Sequence, residues 1–146
     1  MKMTRLFSLL VVSLCFSGCV LVPFVQAFKE TGLTEGDRQE QLPQQVKRFS
    51  DARIFGNRQD ALNLVSDESR AEISKQLAPT GDKERVVRSQ IDDIEWFDNA
   101  RRARVQMSVE SFKMSQLIVK TIREDQEWEF SPGVGWLLSS RVIREE

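Results

Sequence analysis

The 146-residue chain has no histidine and no tyrosine. Without histidine it lacks the commonest general base, the commonest metal ligand and the side chain whose charge switches near neutral pH. Without tyrosine it lacks a frequent hydrogen-bonding group of small-molecule pockets, and 9 Phe and 3 Trp make up the whole aromatic complement. Cysteine is almost as scarce. Cys15 and Cys19 are the only two, both near the N-terminus, so the rest of the chain can form no disulfide. No charge sign dominates either, with 21 Lys and Arg against 22 Asp and Glu, which gives no basic field for nucleic acid. No Gly-x-Ser-x-Gly nucleophile elbow occurs. What is present is a 40% apolar share, enough for one folded domain that needs neither metal nor disulfide to fold.

The N-terminus is the most specific part of the sequence. Lys2 and Arg5 supply a positive start, and from Leu6 through Phe16 every residue is apolar except Ser8 and Ser13. This is the n-region and h-region of an export signal. Phe16-Ser17-Gly18-Cys19 follows and resembles the lipobox of bacterial lipoproteins, with Phe where Leu is commoner. The resemblance implies cleavage before Cys19, a thioether-linked lipid on its sulfur and acylation of the new amino group, palmitate being a typical chain. Cys15 lies within the h-region and leaves with it. Each buried CH₂ adds about 0.8 kcal/mol, so several acyl chains anchor effectively permanently.

The rival is an uncleaved signal anchor. Leu6 to Phe28 is an uncharged span of 23 residues, long enough to cross a bilayer. Ser17-Gly18-Cys19 at the end of a short h-region, followed by Pro23, favours the lipoprotein. Both alternatives place the domain outside the cytoplasm, on the periplasmic face of a membrane. Val20, where Asp would resemble an inner-membrane retention signal, favours the outer membrane.

The expected organisation is a signal over 1–18, a lipidated N-terminus and tether over 19–41, and a domain over 42–146. In that domain Leu42, Val46, Phe49 and Arg53, with Ala52 and Phe55, recur at helical steps, with Pro43 suited to a first turn and Gly56-Asn57 to a stop. Short helices are predicted from near Asp60 and after a cap at Ser66 or Asp67. After Gly81 the period changes to two. Ile91, Ile94 and Trp96 precede the turn residues Asp98-Asn99; Ala103, Val105, Met107 and Val109 then alternate with polar residues. Ile118, Ile122, Trp128 and Phe130 mark a third strand. Ser131 to Gly135 forms a hairpin loop, and Trp136, Leu138 and Val142 mark a fourth strand. Short turns between consecutive strands predict an antiparallel meander. The fold class is α+β, with two or three N-terminal helices packed on a curved four-stranded sheet.

This order of elements, together with Trp128-Glu129-Phe130 leading through the Gly-rich turn into Gly135-Trp136-Leu137-Leu138, resembles the NTF2-like superfamily (SnoaL-like, cystatin-like cone) over about Leu42 to Val142. The resemblance implies a pocket between bent sheet and helices, catalytic in some members and a ligand or protein contact site in others. The alternative is a cystatin-like single helix on a meander, against which the predicted helices between Asp60 and Leu77 argue.

Enzymes of that superfamily commonly place Asp with His, or Tyr with Asp, inside the cone, and this chain has neither His nor Tyr. An acid or base would have to come from Asp92, Asp93, Glu95 or Glu110. Asp93 and Glu95 alternate with Ile94 and Trp96, which predicts a solvent face. Glu124, Asp125, Glu127 and Glu129 lack the Gly turn and ligand spacing of a calcium loop and read as a solvated strand. Arg101, Arg102 and Arg104 form one basic cluster, suited either to ordinary solubility or to contact with lipid headgroups or an acidic partner. Trp96, Trp128 and Trp136 read as core. Phe49, Phe55, Trp96, Met107 and Trp136 are the candidate pocket lining.

The expectation is a noncatalytic lipoprotein with no cofactor or metal. It meets the membrane through Cys19 and binds an envelope protein, a small apolar ligand or a second copy of itself. A carboxylate-based enzyme and a structural envelope protein dimerising through its sheet face are the alternatives.

Overall fold

The computed structural model describes residues 32, 34–55, 58–77, 84–113 and 118–144. Three helices, α1 (Glu35–Ile54), α2 (Arg58–Leu62) and α3 (Arg70–Gln76), precede four strands, β1 (Glu84–Phe97), β2 (Arg102–Lys113), β3 (Val119–Ser131) and β4 (Gly135–Arg144). The strands lie in the order β1-β2-β3-β4, each antiparallel to its neighbour. The domain is therefore α+β with an open four-stranded meander, as the switch from helical to two-residue periodicity predicts.

Helix α1 starts earlier than its apolar pattern indicates: residues 35–41, expected to be tether, form its first turns. The cause is a capping box. Thr34 Oγ1 accepts from the Asp37 amide at 3.2 Å, and the Asp37 carboxylate accepts from the Thr34 amide at 3.2 Å. Glu35 and Asp37 also complement the positive end of the helix dipole. Pro43 consequently sits inside the helix rather than in its first turn.

Arg38, within the presumed tether, is buried. Its guanidinium donates to the carbonyls of Ala100 (3.0 Å), Gly32 (2.8 Å) and Asn99 (2.7 Å). These bonds hold the β1–β2 turn, where Asp98, Asn99 and Ala100 have φ of 52°, 53° and 54°. Such a left-handed run is unfavourable for non-glycine residues and needs outside support. Gly32 closes against Phe130: with φ +62°, an added Cβ would lie 2.3 Å from a ring carbon.

Helix α3 begins after Ser69, not after Ser66 or Asp67. The preceding segment is tied to β4 instead. Val65 bridges Leu138, the Ser66 amide donates to Leu138 O at 3.0 Å, and the Leu138 amide donates to Leu64 O at 2.9 Å. Ser69 spends its hydroxyl on Ser139 O rather than on the helix end.

One sheet face carries the core. On β2, Ala103, Val105, Met107 and Val109 are buried, while Arg104 and Gln106 between them are exposed. Leu42, Val46 and Phe49 of α1 cover that face, with Trp128, Trp136 and Leu138 beside them. Phe49 meets Trp128 edge-on at 6.1 Å, and Phe130 meets Trp136 edge-on at 5.6 Å. Full burial of a large apolar side chain contributes roughly 1.5–3 kcal/mol, so these few residues carry much of the stability.

The β3–β4 register shifts at Glu127/Trp128: Trp128 pairs with Leu138, but Glu127 pairs with Ser140, leaving Ser139 as an extra residue. The extra residue exchanges the faces of the rest of β4. Arg141 turns inward and is 6% exposed, whereas Val142, an even number of residues from Trp136 and Leu138, is 53% exposed on the other face.

Candidate functional site

The interior that an NTF2-like pocket would occupy is filled. Of the expected pocket lining, Phe49, Met107 and Trp136 are core residues, and Trp96 is half-buried with its ring 6.1 Å from that of Trp136. Phe55 is outside that core, though with Met107 it lines a groove between α1 and β1. The helix ends at Ile54, and Phe55 at its C-cap is 83% exposed. Cys19 lies outside the described residues.

Charge also enters the interior. Glu124 is fully buried, because β3 parity places it on the same face as Gln126, Trp128 and Phe130. The expectation that the whole acidic run is solvated is therefore wrong for Glu124, though Glu127 and Glu129 do face water. Arg53 donates to both Glu124 oxygens at 3.0 and 2.8 Å, and Arg141 does so at 2.9 and 2.5 Å. Gln126 Nε2 donates to Glu124 at 3.2 Å, and Gln126 Oε1 accepts from the Trp128 indole N–H at 3.0 Å. Burial pushes the Glu124 carboxyl pKa up, but the bonds and charges of Arg141 and Arg53 outweigh it and hold the value at about 2. A carboxylate saturated in this way is a structural tie, with no lone pair left to act as a base.

The other candidates face outward. Asp92, Asp93 and Glu95 are exposed, and Glu110 is half-buried on the outer face opposite Thr121. Asp92 accepts from the Ser108 hydroxyl at 2.5 Å, and Glu95 lies 3.5 Å from Arg104. No acid–base pair from Asp93 and Glu95 is assembled in the interior. Arg102 pairs with Asp98 at 2.5 Å and Arg104 also meets Glu127 at 3.4 Å, so the basic cluster is divided among neighbouring carboxylates. Among the described residues no group of three His, Cys, Asp or Glu could hold a metal, and no helix is long and apolar enough to cross a membrane.

Among the described residues two hollows are open: a polar one of about 410 Å³ lined by Asp92, Ser108, Arg123 and Asp125, and a more apolar groove of about 430 Å³ between α1 and β1. Pro43, Val46, Ile54 and Phe55 form one wall, Val87 and Ile91 the other. Lys47, Asp51 and Arg88 lie along the same groove. Ser50, also in its lining, is 3% exposed, and its buried Oγ has no hydrogen-bond partner among the described residues. Beside the groove runs the outer edge of β1, which no strand pairs among the described residues. Sequence periodicity indicated the apolar wall of α1 but not that it ends at an unpaired strand edge, because edge position is a property of the whole sheet.

No known protein family matches the sequence, and no curated protein matches it. One solved structure, the intermembrane space region of the chloroplast protein ARC6, is similar in fold. It has a TM-score of 0.50 and 13% identity, over 73% of this chain and 96% of that one. At that identity the likeness concerns fold alone.

Proposed function

We propose that this chain is an envelope lipoprotein, anchored through lipid on Cys19, whose NTF2-like domain is a noncatalytic module that binds a protein partner. The observation that carries this reading is the apolar groove beside the unpaired edge of β1. An extended chain segment laid there could bond its backbone to the edge and place side chains between Phe55 and Val87, the arrangement of strand addition. The unpartnered Ser50 hydroxyl adds a polar group in the groove lining. The filled interior favours this surface over an enclosed ligand cavity. The lipobox supports placement on the periplasmic face of a membrane, the outer one by the residue at position 20.

A photocrosslinking amino acid at position 55 of the full chain, in cells, tests the binding surface, with position 134 on the β3–β4 turn as control. A defined protein adduct from 55 and none from 134 is expected, and equal yields from both would refute the reading. Fatty-acid labelling that is lost in Cys19→Ser tests the anchor; labelling equal to that of the unsubstituted chain would remove it.

A further inference from the structure

The geometry points to a second copy of this chain as the occupant of the β1 edge, paired antiparallel about a two-fold axis through Gln90; this rests on the binding-module reading and names its partner. Edge strands usually carry charge and bulges that discourage pairing. β1 has both, but arranged so that the strand complements itself. Its pairing with β2 shifts between Val86 and Arg88 and between Ile91 and Asp93, which leaves Val87 and Asp92 as extra residues. The residues in register are then 85, 86, 88, 89, 90, 91, 93, 94 and 95, and their side chains alternate between outer and inner faces.

That series is symmetric about Gln90. Turned antiparallel on itself, it places Arg85 opposite the partner's Glu95 and Arg88 opposite the partner's Asp93, all four on the exposed outer face. On the inner face it places Val86 opposite the partner's Ile94 and Ser89 opposite the partner's Ile91, all half-buried in the single chain. The partner's apolar residues thus meet the side of the sheet on which the groove opens, next to Val87 and the exposed Phe55. Every pair matches in face, and each charged pair is opposite in sign.

Competing arrangements lose this match. A parallel pairing in register sets Arg on Arg and acid on acid. An antiparallel slip by two places replaces the two kinds of ion pair with one, Arg88 with Glu95 or Arg85 with Asp93. Directly opposed unlike charges stabilise a strand pair and like charges destabilise it. The same pattern that repels foreign strands therefore selects this one. Pairing about the two-fold is closed, because each chain offers one such edge and the covered β4 edge offers none at Leu138.

The test uses the full chain in detergent, with mass measured by light scattering and sedimentation. The unsubstituted chain is expected to dimerise. Arg88→Asp alone and Asp93→Arg alone should each weaken the dimer about tenfold or more, since each sets like charges opposite one another twice. A mixture of the two variants should recover the dimer as a heterodimer, in which both pairs are again unlike. Gln90→Cys should form an interchain disulfide under mild oxidation that the unsubstituted chain does not form. A monomeric chain, a dimer indifferent to Arg88→Asp, or a mixture no more dimeric than its components would overturn the proposal. A dimer crosslinked from Gln106→Cys on the outer sheet face, but not from Gln90→Cys, would do the same. In any of these cases a defined adduct to a different protein from position 55 would leave the binding-module reading intact.

Discussion

The two edges of the sheet are treated in opposite ways. At the β4 edge, backbone bonds from Leu64 and Ser66 grip Leu138, Ser69 holds the bulged Ser139, and Gln76 Nε2 reaches Arg141 O at 3.3 Å. Just inside that edge, Arg141 and Arg53 clamp Glu124. At the β1 edge, the strand is bulged, charged and unpaired among the described residues, and a groove separates it from α1. One edge is spent on stability; the other is left for association. A sheet that is closed on one side and open on the other can add a partner without aggregating in both directions.

Substitutions should expose this asymmetry. The largest effect is expected from Glu124→Gln, which leaves two buried guanidinium groups without their counter-charge and should cost about 4 kcal/mol in urea unfolding. A loss below about 1 kcal/mol would show that the clamp is incidental. Leu138→Ala, fully buried where the α2–α3 segment docks, should cost about 3 kcal/mol by leaving a cavity.

Acid acts on the same clamp. With its carboxyl held at about 2, against an ordinary 4.5, Glu124 contributes stability that is complete above about pH 4.5 and is lost as pH falls towards 2. That contribution is about 3 kcal/mol, so Glu124→Gln should flatten the fall in stability over this window. An unchanged pH profile in the variant would assign acid unfolding to other groups.

Smaller effects mark the boundary of the closed side. Ser69→Ala removes the hydroxyl bond to Ser139 O and should cost about 1 kcal/mol, read as a lower thermal midpoint. On the open side, Arg102→Ala breaks an ion pair with Asp98 in which both side chains are more than half exposed. It should leave the midpoint of urea unfolding unchanged. A large loss there would mean that the β1–β2 hairpin is as tightly held as the β3–β4 end.

Several of these features are legible in the sequence. The alternation from Ala103 to Val109 fixed one face of β2, and Ser131 to Gly135 forms the hairpin that was read from it, with the Val134 amide bonded to Ser131 O at 3.1 Å. Asp93 and Glu95 face water, as their alternation with Ile94 and Trp96 requires. The position of Glu124 was also open to inference: it lies an even number of residues from Trp128 and Phe130, and a strand side chain follows that parity. Its charge argued for water, and burial won because Arg53, already in register with Leu42, Val46 and Phe49, faces the same interior. The start of α1 carried a signal in Thr34 and Asp37. It was obscured because the third helical position holds Asp rather than Glu or Gln, and Gly36 weakens the first turn.

Other features had no local signature. Nothing in Trp136-Leu137-Leu138-Ser139-Ser140 announces the bulge that turns Val142 outward; the extra Ser139 is held by Ser69, 70 positions away. Phe55 reads as a continuation of the apolar α1 face, and is exposed because the helix stops one residue short of it.

The sequence by itself determined the order and type of the elements, the two-residue alternation of β2 and the resemblance of Phe16-Ser17-Gly18-Cys19 to a lipobox, because each depends on neighbours in the chain. Only the tertiary structure decided which strand edge stays open, which carboxylate is buried and which way β4 turns after Ser139. Those depend on contacts between residues tens of positions apart, where a one-residue bulge exchanges every face that follows it.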